Sequence, residues 1–152
     1  MTDRLEIPVK LLRDGARLPE RAYENDAAFD LFSTDDVILA PQHRQTVGTG
    51  VAIALPPGAA ALTLPRSGLA ARHGIALVNA PGLIDPGYRG EIKLILLNTD
   101  RQQPFHVLEG DRIGQLLVVA LTPVAFFETA QLDDTLRGER GFGSSGGAGK
   151  IQ

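Results

Sequence analysis

Val51-Ala52-Ile53-Ala54-Leu55-Pro56-Pro57-Gly58 is the stretch that decides the fold class. Val51, Ile53 and Leu55 occupy every second position, and a strand points alternate side chains to opposite faces. Pro56-Pro57-Gly58 then stops it, because proline brings no amide to a ladder and glycine accepts turn geometry. Downstream, Leu62 and Leu64 alternate as far as Pro65. Within residues 91–98, Ile92, Leu94 and Leu96 alternate while Ile95 and Leu97 are also apolar, which predicts a strand buried on both faces. Further strands are predicted over residues 6–12, 37–39, 75–78, 105–107, 113–121 and 124–127. Pro41, Gly48, Pro81-Gly82, Pro86-Gly87, Asp100 and Gly110 punctuate them. Only Ser67–His73 reads as a helical turn, with Gly74 placed to end it. Many short, closely punctuated strands and one short helix describe an all-β sandwich or barrel, with no internal repeat.

At 152 residues and 43% hydrophobic content the chain is sized for one domain. A domain of that length buries roughly 70% of its unfolded surface without covalent staples. The absence of cysteine excludes disulfides, thiol catalysis and cysteine-held zinc, and suits a reducing cytoplasm. Met1-Thr2-Asp3-Arg4-Leu5-Glu6 is charged and lacks the apolar core of a signal peptide. The longest apolar run, residues 116–127, is broken by Thr122-Pro123 and falls short of the ~20 residues a membrane span needs. A net charge of −3 with no basic run argues against nucleic acid as a partner. Phosphate contacts, if any, must come from a few placed arginines and backbone amides.

Several familiar patterns fail on context. Gly141, Gly143 and Gly146 match G-x-G-x-x-G, but only six residues follow where a dinucleotide fold needs a helix. Residues 144–150 resemble a P-loop without its first glycine, and Ile151 stands where serine or threonine is required. His43, His73 and His106 show no metal-ligand spacing, and Ser67 lacks a G-x-S-x-G setting. The glycine- and serine-rich end, residues 137–150, cannot bury a core. Composition favours a flexible tail, yet Arg137, Arg140 and Phe142 also form a useful set for gripping a phosphorylated aromatic ligand.

Five segments remain. They are Ala27-Ala28-Phe29-Asp30-Leu31-Phe32-Ser33, then Pro65-Arg66-Ser67-Gly68-Leu69-Ala70, then residues 79–91 from Asn79 through Gly82, Asp85 and Tyr88 to Glu91, then Gly110-Asp111-Arg112-Ile113-Gly114-Gln115-Leu116, and last residues 137–146. Read residue by residue, each has an ordinary explanation. Asp85 before Pro86-Gly87 can close its own turn. Tyr88 can be an aromatic strand residue, and Gln115 a solvent-facing one. Arg66 and Ser67 can begin a helix with Ser67 as N-cap, or direct side chains and amides at phosphate oxygens. Asp30 between Phe29 and Leu31 can be a satisfied structural carboxylate.

In order and spacing, however, the five segments closely resemble the motifs of the trimeric deoxyuridine triphosphatases (dUTPases), over residues ~25–146. That resemblance implies a distorted jelly-roll or β-barrel of the β-clip type, residues 1–136, in a homotrimer. Residues 137–152 become a flexible lid exchanged onto a neighbouring subunit's site. It implies hydrolysis of dUTP to dUMP and pyrophosphate, with Asp85 as the base that activates water for attack on the α-phosphate. Asn79 and the backbone around Gly82, in one hairpin, would read uracil, and Tyr88 would pack against deoxyribose and leave no space for a 2′-hydroxyl. Arg66, Ser67, Gly68, Lys93 and Gln115 would contact the nucleotide, with Arg137 on the γ-phosphate, Phe142 stacked on the base, and Gly143, Ser144 and Ser145 at the phosphates. Asp30 would orient Mg²⁺ through coordinated water, the triphosphate supplying the direct ligands. The chain departs from the pattern at Ala28 (usually glycine), Gly114 (usually alanine), Arg140 (usually glycine) and Ser145 (usually threonine). The first two exchange small for small, whereas Arg140 either adds a phosphate contact or hinders close wrapping. Rival readings are a dCTP deaminase of the same fold, which would need a glutamate placed for deamination, and a non-enzymatic nucleotide-binding trimer.

Overall fold

A computed structural model describes residues 5–140. It holds eleven strands and one helix: β1 (Val9–Leu11), β2 (Phe29–Phe32), β3 (Val37–Leu39), β4 (Arg44–Gly48), β5 (Val51–Ile53), β6 (Ala59–Leu64), α1 (Ser67–His73), β7 (Ile75–Leu77), β8 (Gly82–Ile84), β9 (Lys93–Asn98), β10 (Phe105–Val107) and β11 (Arg112–Ala120). The strands pair antiparallel in four small sheets, ordered β2-β11-β6-β8, β4-β9-β7, β1-β5 and β10-β3. The all-β expectation with one short helix therefore holds, as an open jelly-roll arrangement.

The core lies between these sheets. Leu31, Val47, Val51, Leu94, Leu96 and Val107 are all within 1% of complete burial. In β9 the residues Leu94, Leu96 and Asn98 face fully inward, while Ile95 and Leu97 are half-buried, so one face is core and the other is partly covered. Asn98 is the polar member of that row, and its amide is fully engaged. Its Nδ2 donates to the Leu39 and Gln103 carbonyls at 3.0 and 2.8 Å, and its Oδ1 accepts from the Asp100 amide at 3.0 Å. It thereby ties β9 to β3 and to the turn that follows. In that turn the Gln103 and Gln102 amides hold the Asp100 carboxyl below its ordinary pKa.

The helix ends as expected, with Gly74 at φ 64°, ψ 26° closing α1 in the left-handed conformation. Its start differs. Arg66, not Ser67, is the N-cap, its backbone is extended, and no side chain caps the first turn. Ser67 is already helical and exposed.

The strand expected over residues 124–127 is absent. Residues 121–140 contain no strand or helix and run exposed along their length. Val124, Phe126 and Phe127 are 73%, 98% and 85% exposed, and none of the described strands pairs with them. Thr122-Pro123 ends the β11 ladder before the apolar run can extend it.

Gly114 is more demanding than a small-for-small exchange. A Cβ there would run into the Leu94 side chain and come within 3.3 Å of the Leu64 carbonyl oxygen. It sits where the β11–β2 register shifts between Arg112 and Gly114, so close backbone approach is what permits the irregularity.

Candidate functional site

The register of the four-stranded sheet gathers the first group. Gln115 on β11 lies opposite Asp30 on β2 and opposite Leu64 on β6, and Arg66 follows Leu64 by two positions. Asp30 is 3% exposed in a strand otherwise made of Phe29, Leu31 and Phe32. A buried carboxylate of this kind needs partners. Arg66 Nε lies 3.2 Å from its Oδ1, Arg112 Nε lies 3.4 Å from its Oδ2, and Gln115 Nε2 donates to Oδ1 at 3.4 Å. Arg66 also donates to the Arg112 carbonyl at 3.2 Å.

Arg66 and Arg112 share the Asp30 carboxylate, and Arg112 Nη2 also lies 3.9 Å from Glu20 Oε1, so two guanidiniums are balanced by two carboxylates. The group borders a hollow of about 380 Å³ lined by Arg66, Leu69, Phe105, Gly110, Asp111, Arg112 and Ile113. An anion placed there meets cations whose planes are already fixed, the arrangement that favours phosphate oxygens. Arg112 has no role assigned from the sequence. It stands inside the fourth segment, but a lone arginine in a strand carries no spacing signal.

The connection between β7 and β8 and the turn after β8 form the second group. The two strands do not pair as a simple hairpin: β7 joins β9, and β8 joins β6, so the connection crosses from one sheet to the other. Gly82 pairs with Thr63 on β6, and a Cβ on it would press against the Thr63 hydroxyl and lie 3.2 Å from Asn79 Nδ2. Only glycine lets the crossing approach β6 this tightly. Asp85 follows β8 and is exposed, and its carbonyl accepts the Tyr88 amide at 3.1 Å, which closes the turn. The Tyr88 hydroxyl donates to the Glu91 carbonyl at 2.9 Å, which fixes a ring that is 45% exposed. Gly90 makes room for that ring, since a Cβ there would strike it. Thr63, Asn79, Gly82, Tyr88, Glu91 and Lys93 are among the residues lining a cleft of about 120 Å³.

The structure thus brings Asp30, Arg66 and Gln115 together, and separately Asn79, Gly82, Tyr88 and Lys93, with Asp85 at the edge of the second group. Ser67 and Gly68 lie exposed at the start of α1. The two hollows have no lining residue in common. Arg137 is exposed and closed into a local turn, its Nε donating to the Arg140 carbonyl and Arg140 Nε donating to the Arg137 carbonyl, each at 3.0 Å. Phe142, Gly143, Ser144 and Ser145 lie outside the described residues.

A dUTPase family model matches residues 14–146, nearly the whole chain. The chain belongs to the dUTPase family. It is 51% identical over 146 residues to a deoxyuridine 5′-triphosphate nucleotidohydrolase of Corynebacterium glutamicum, covering 96% of this chain and 98% of the relative. It is 53% identical over 141 residues to the enzyme of that name from Nocardia farcinica, covering 93% and 86%. Among solved structures, a point variant of the dUTPase of Staphylococcus bacteriophage 80alpha with dUpNHpp superposes with a TM-score of 0.87 at 28% identity, covering 93% of this chain and 98% of the other. A point variant of the dUTPase from phage phi11 of S. aureus, described with a structural Mg(II) ion, gives 0.79 at 26% identity, covering 86% and 100%.

Proposed function

We propose that this chain hydrolyses dUTP to dUMP and pyrophosphate. The observation that supports the reading is the turn in which exposed Asp85 accepts the Tyr88 amide, with the fixed Tyr88 ring lining a cleft together with Gly82 and Asn79. Asp85 takes a proton from water as the water oxygen attacks the α-phosphorus. The bond from that phosphorus to the bridging oxygen breaks, and pyrophosphate leaves with the electron pair. A positioned base of this kind contributes typically 10²–10⁴ in rate.

Asn79 and the backbone around Gly82 bind uracil on its pairing edge, a close fit that also leaves no space for the thymine methyl. The Tyr88 ring stands where a ribose 2′-hydroxyl would project. Arg66, Gln115, Ser67, Gly68 and Lys93 receive phosphate oxygens, and Arg112 joins them because it shares the Asp30 carboxylate with Arg66. Held donors of this kind stabilise charge as it develops on the transferring phosphoryl group.

Asp30 is not a direct metal ligand in this reading; its part toward Mg²⁺ is through coordinated water. Its carboxylate is buried against two arginines, and no cluster of three or more His, Asp or Glu suited to a metal occurs among the described residues. In this reading Asp30 holds Arg66 and Arg112, and Mg²⁺ arrives as the magnesium complex of the nucleotide, with triphosphate oxygens as its ligands.

The active unit is a homotrimer. Two observations support it: the Asp30–Arg66–Arg112 group and the Asn79–Tyr88 cleft line separate hollows of one chain, and Phe126 and Phe127 are almost uncovered by the described residues. In the trimer this arm lies on a neighbour, and residues 137–152 close over that neighbour's site. Residues 1–136 form the body. Among the described residues no helix is long and apolar enough to cross a membrane. We place the enzyme in the cytoplasm, in keeping with a sequence that has no cysteine.

The test is pyrophosphate release from dUTP, UTP, dCTP and dTTP. Release from dUTP alone is expected. Ammonia from dCTP would move the chain to the deaminase reading, and binding of dUTP without turnover would make it a nucleotide-binding protein only.

A further inference from the structure

Beside the Asn79–Tyr88 cleft, four charged side chains meet that none of the roles above uses together. Glu91 has a side chain only 10% exposed, and its Oε1 accepts the Gly50 amide at 2.9 Å. Its Oε2 takes Arg13 at 2.6 Å and Lys93 at 3.5 Å. Arg13 reaches in addition to Asp35 Oδ1 at 3.4 Å, while Asp35 Oδ2 accepts the Gly48 amide at 2.7 Å. The two carboxylates converge on one backbone position: a Cβ on Gly48 would lie 2.7 Å from Glu91 Oε1 and 3.1 Å from Asp35 Oδ2. Arg13 belongs to the loop after β1, outside the five segments and just before the residues that match the family.

Arg13 and Lys93 share a single oxygen, Arg13 at the shorter distance. Arg13 holds it at 2.6 Å, so Lys93, which lines the cleft with Asn79, Gly82 and Tyr88, pairs with Glu91 only at the longer 3.5 Å. Were Arg13 neutral, Glu91 would be a largely buried carboxylate with one amide and Lys93 as its available cation. A buried charge that loses its partner is strongly destabilised. The 52%-exposed Lys93 side chain can move to meet it at little cost. The backbone carbonyl of the same residue, Glu91, accepts the Tyr88 hydroxyl.

We propose that Arg13 is a positioning residue for nucleotide binding: by neutralising Glu91 it keeps the Lys93 ammonium available to the anionic ligand in the Asn79–Tyr88 cleft. The inference rests on the dUTP reading of that cleft. Arg13 itself touches no substrate and acts through Glu91 and Lys93.

The experiment is a set of variants of the full chain read by the dissociation constant of α,β-imido-dUTP, a non-hydrolysable analogue, and by KM and kcat for dUTP. Arg13→Gln should weaken analogue binding about tenfold and raise KM alike, with kcat within about twofold. Arg13→Lys should recover most of the loss. Arg13→Gln combined with Glu91→Gln should bind within about threefold of the original chain, because the uncharged amide no longer draws Lys93 away. In a Lys93→Gln background, Arg13→Gln should have no further effect. A double variant as weak as Arg13→Gln alone, or a fall in kcat with affinity unchanged, overturns the proposal. Should Arg13→Gln not fold, Arg13→Lys and Glu91→Gln must each still bind the analogue nearly normally, and a tenfold loss in either refutes the role. Pyrophosphate release by the unaltered chain tests the dUTP reading separately, so the two failures are distinguishable.

Discussion

Asp30 on β2 and Arg66 at the start of α1 meet at 3.2 Å although they lie far apart in sequence, and Arg112 completes the group from β11. The carboxylate is buried and the two guanidiniums are only partly so, which makes Asp30 the hub that sets both cations. Asp30→Asn keeps the volume and removes the charge. Because the arginine side chains are 29% and 43% exposed, solvent screening limits the stability cost to about 1–2 kcal/mol. Urea unfolding should show that loss, together with weaker dUTP binding. Unchanged stability and affinity would mean that the arginines are set by other contacts.

Tyr88 is fixed by one hydrogen bond from its hydroxyl to the Glu91 carbonyl. Tyr88→Phe keeps the ring and loses the anchor, so it should erode discrimination between dUTP and UTP mildly. Tyr88→Ala removes the barrier, and the ratio of kcat/KM values should fall at least about tenfold. Selectivity unchanged in Tyr88→Ala would place sugar recognition elsewhere.

Asp85→Asn preserves the turn, whose closing hydrogen bond uses the backbone carbonyl of residue 85 and not its side chain. Turnover should drop by at least about 10² while nucleotide affinity survives. Near-normal turnover would remove Asp85 as the base.

The exposed arm gives a prediction about assembly. Phe126→Asp with Phe127→Asp should shift the protein from trimer to monomer in light scattering, since both rings are bare on the single chain. Deleting residues 137–152 should instead leave a trimer with poor catalysis. A trimer that survives both phenylalanine changes would show that the arm does not hold it together.

Sequence reading succeeds where a single element settles its own structure. β5, β6 and β9 announce themselves by alternation, and α1 by the glycine that ends it. It misses β4, Arg44–Gly48, whose polar residues become a strand only because β9 offers a complementary edge. It misses β2 because Asp30 interrupts the apolar pattern, and that interruption carries the carboxylate that pairs with Arg66 and Arg112. The run 124–127 is over-read, since an apolar segment carries no mark of whether its own chain supplies a partner strand. The five segments supply most of the residues that line the two hollows. Their grouping comes from strand register, which places Asp30, Gln115 and Leu64 in one row. Arg112, Glu91 and Arg13 are charged residues with no distinguishing spacing, and only their shared ion pairs reveal them.

The central claim is that water is delivered to the α-phosphorus of dUTP. Hydrolysis in ¹⁸O-labelled water, followed by mass analysis of both products, tests it directly. The label should appear in dUMP, with pyrophosphate unlabelled. Label in pyrophosphate would mean attack at the β-phosphorus, and release of labelled inorganic phosphate would mean attack at the γ-phosphorus. Either would contradict the placement of Asp85 and Tyr88 around the reacting atom.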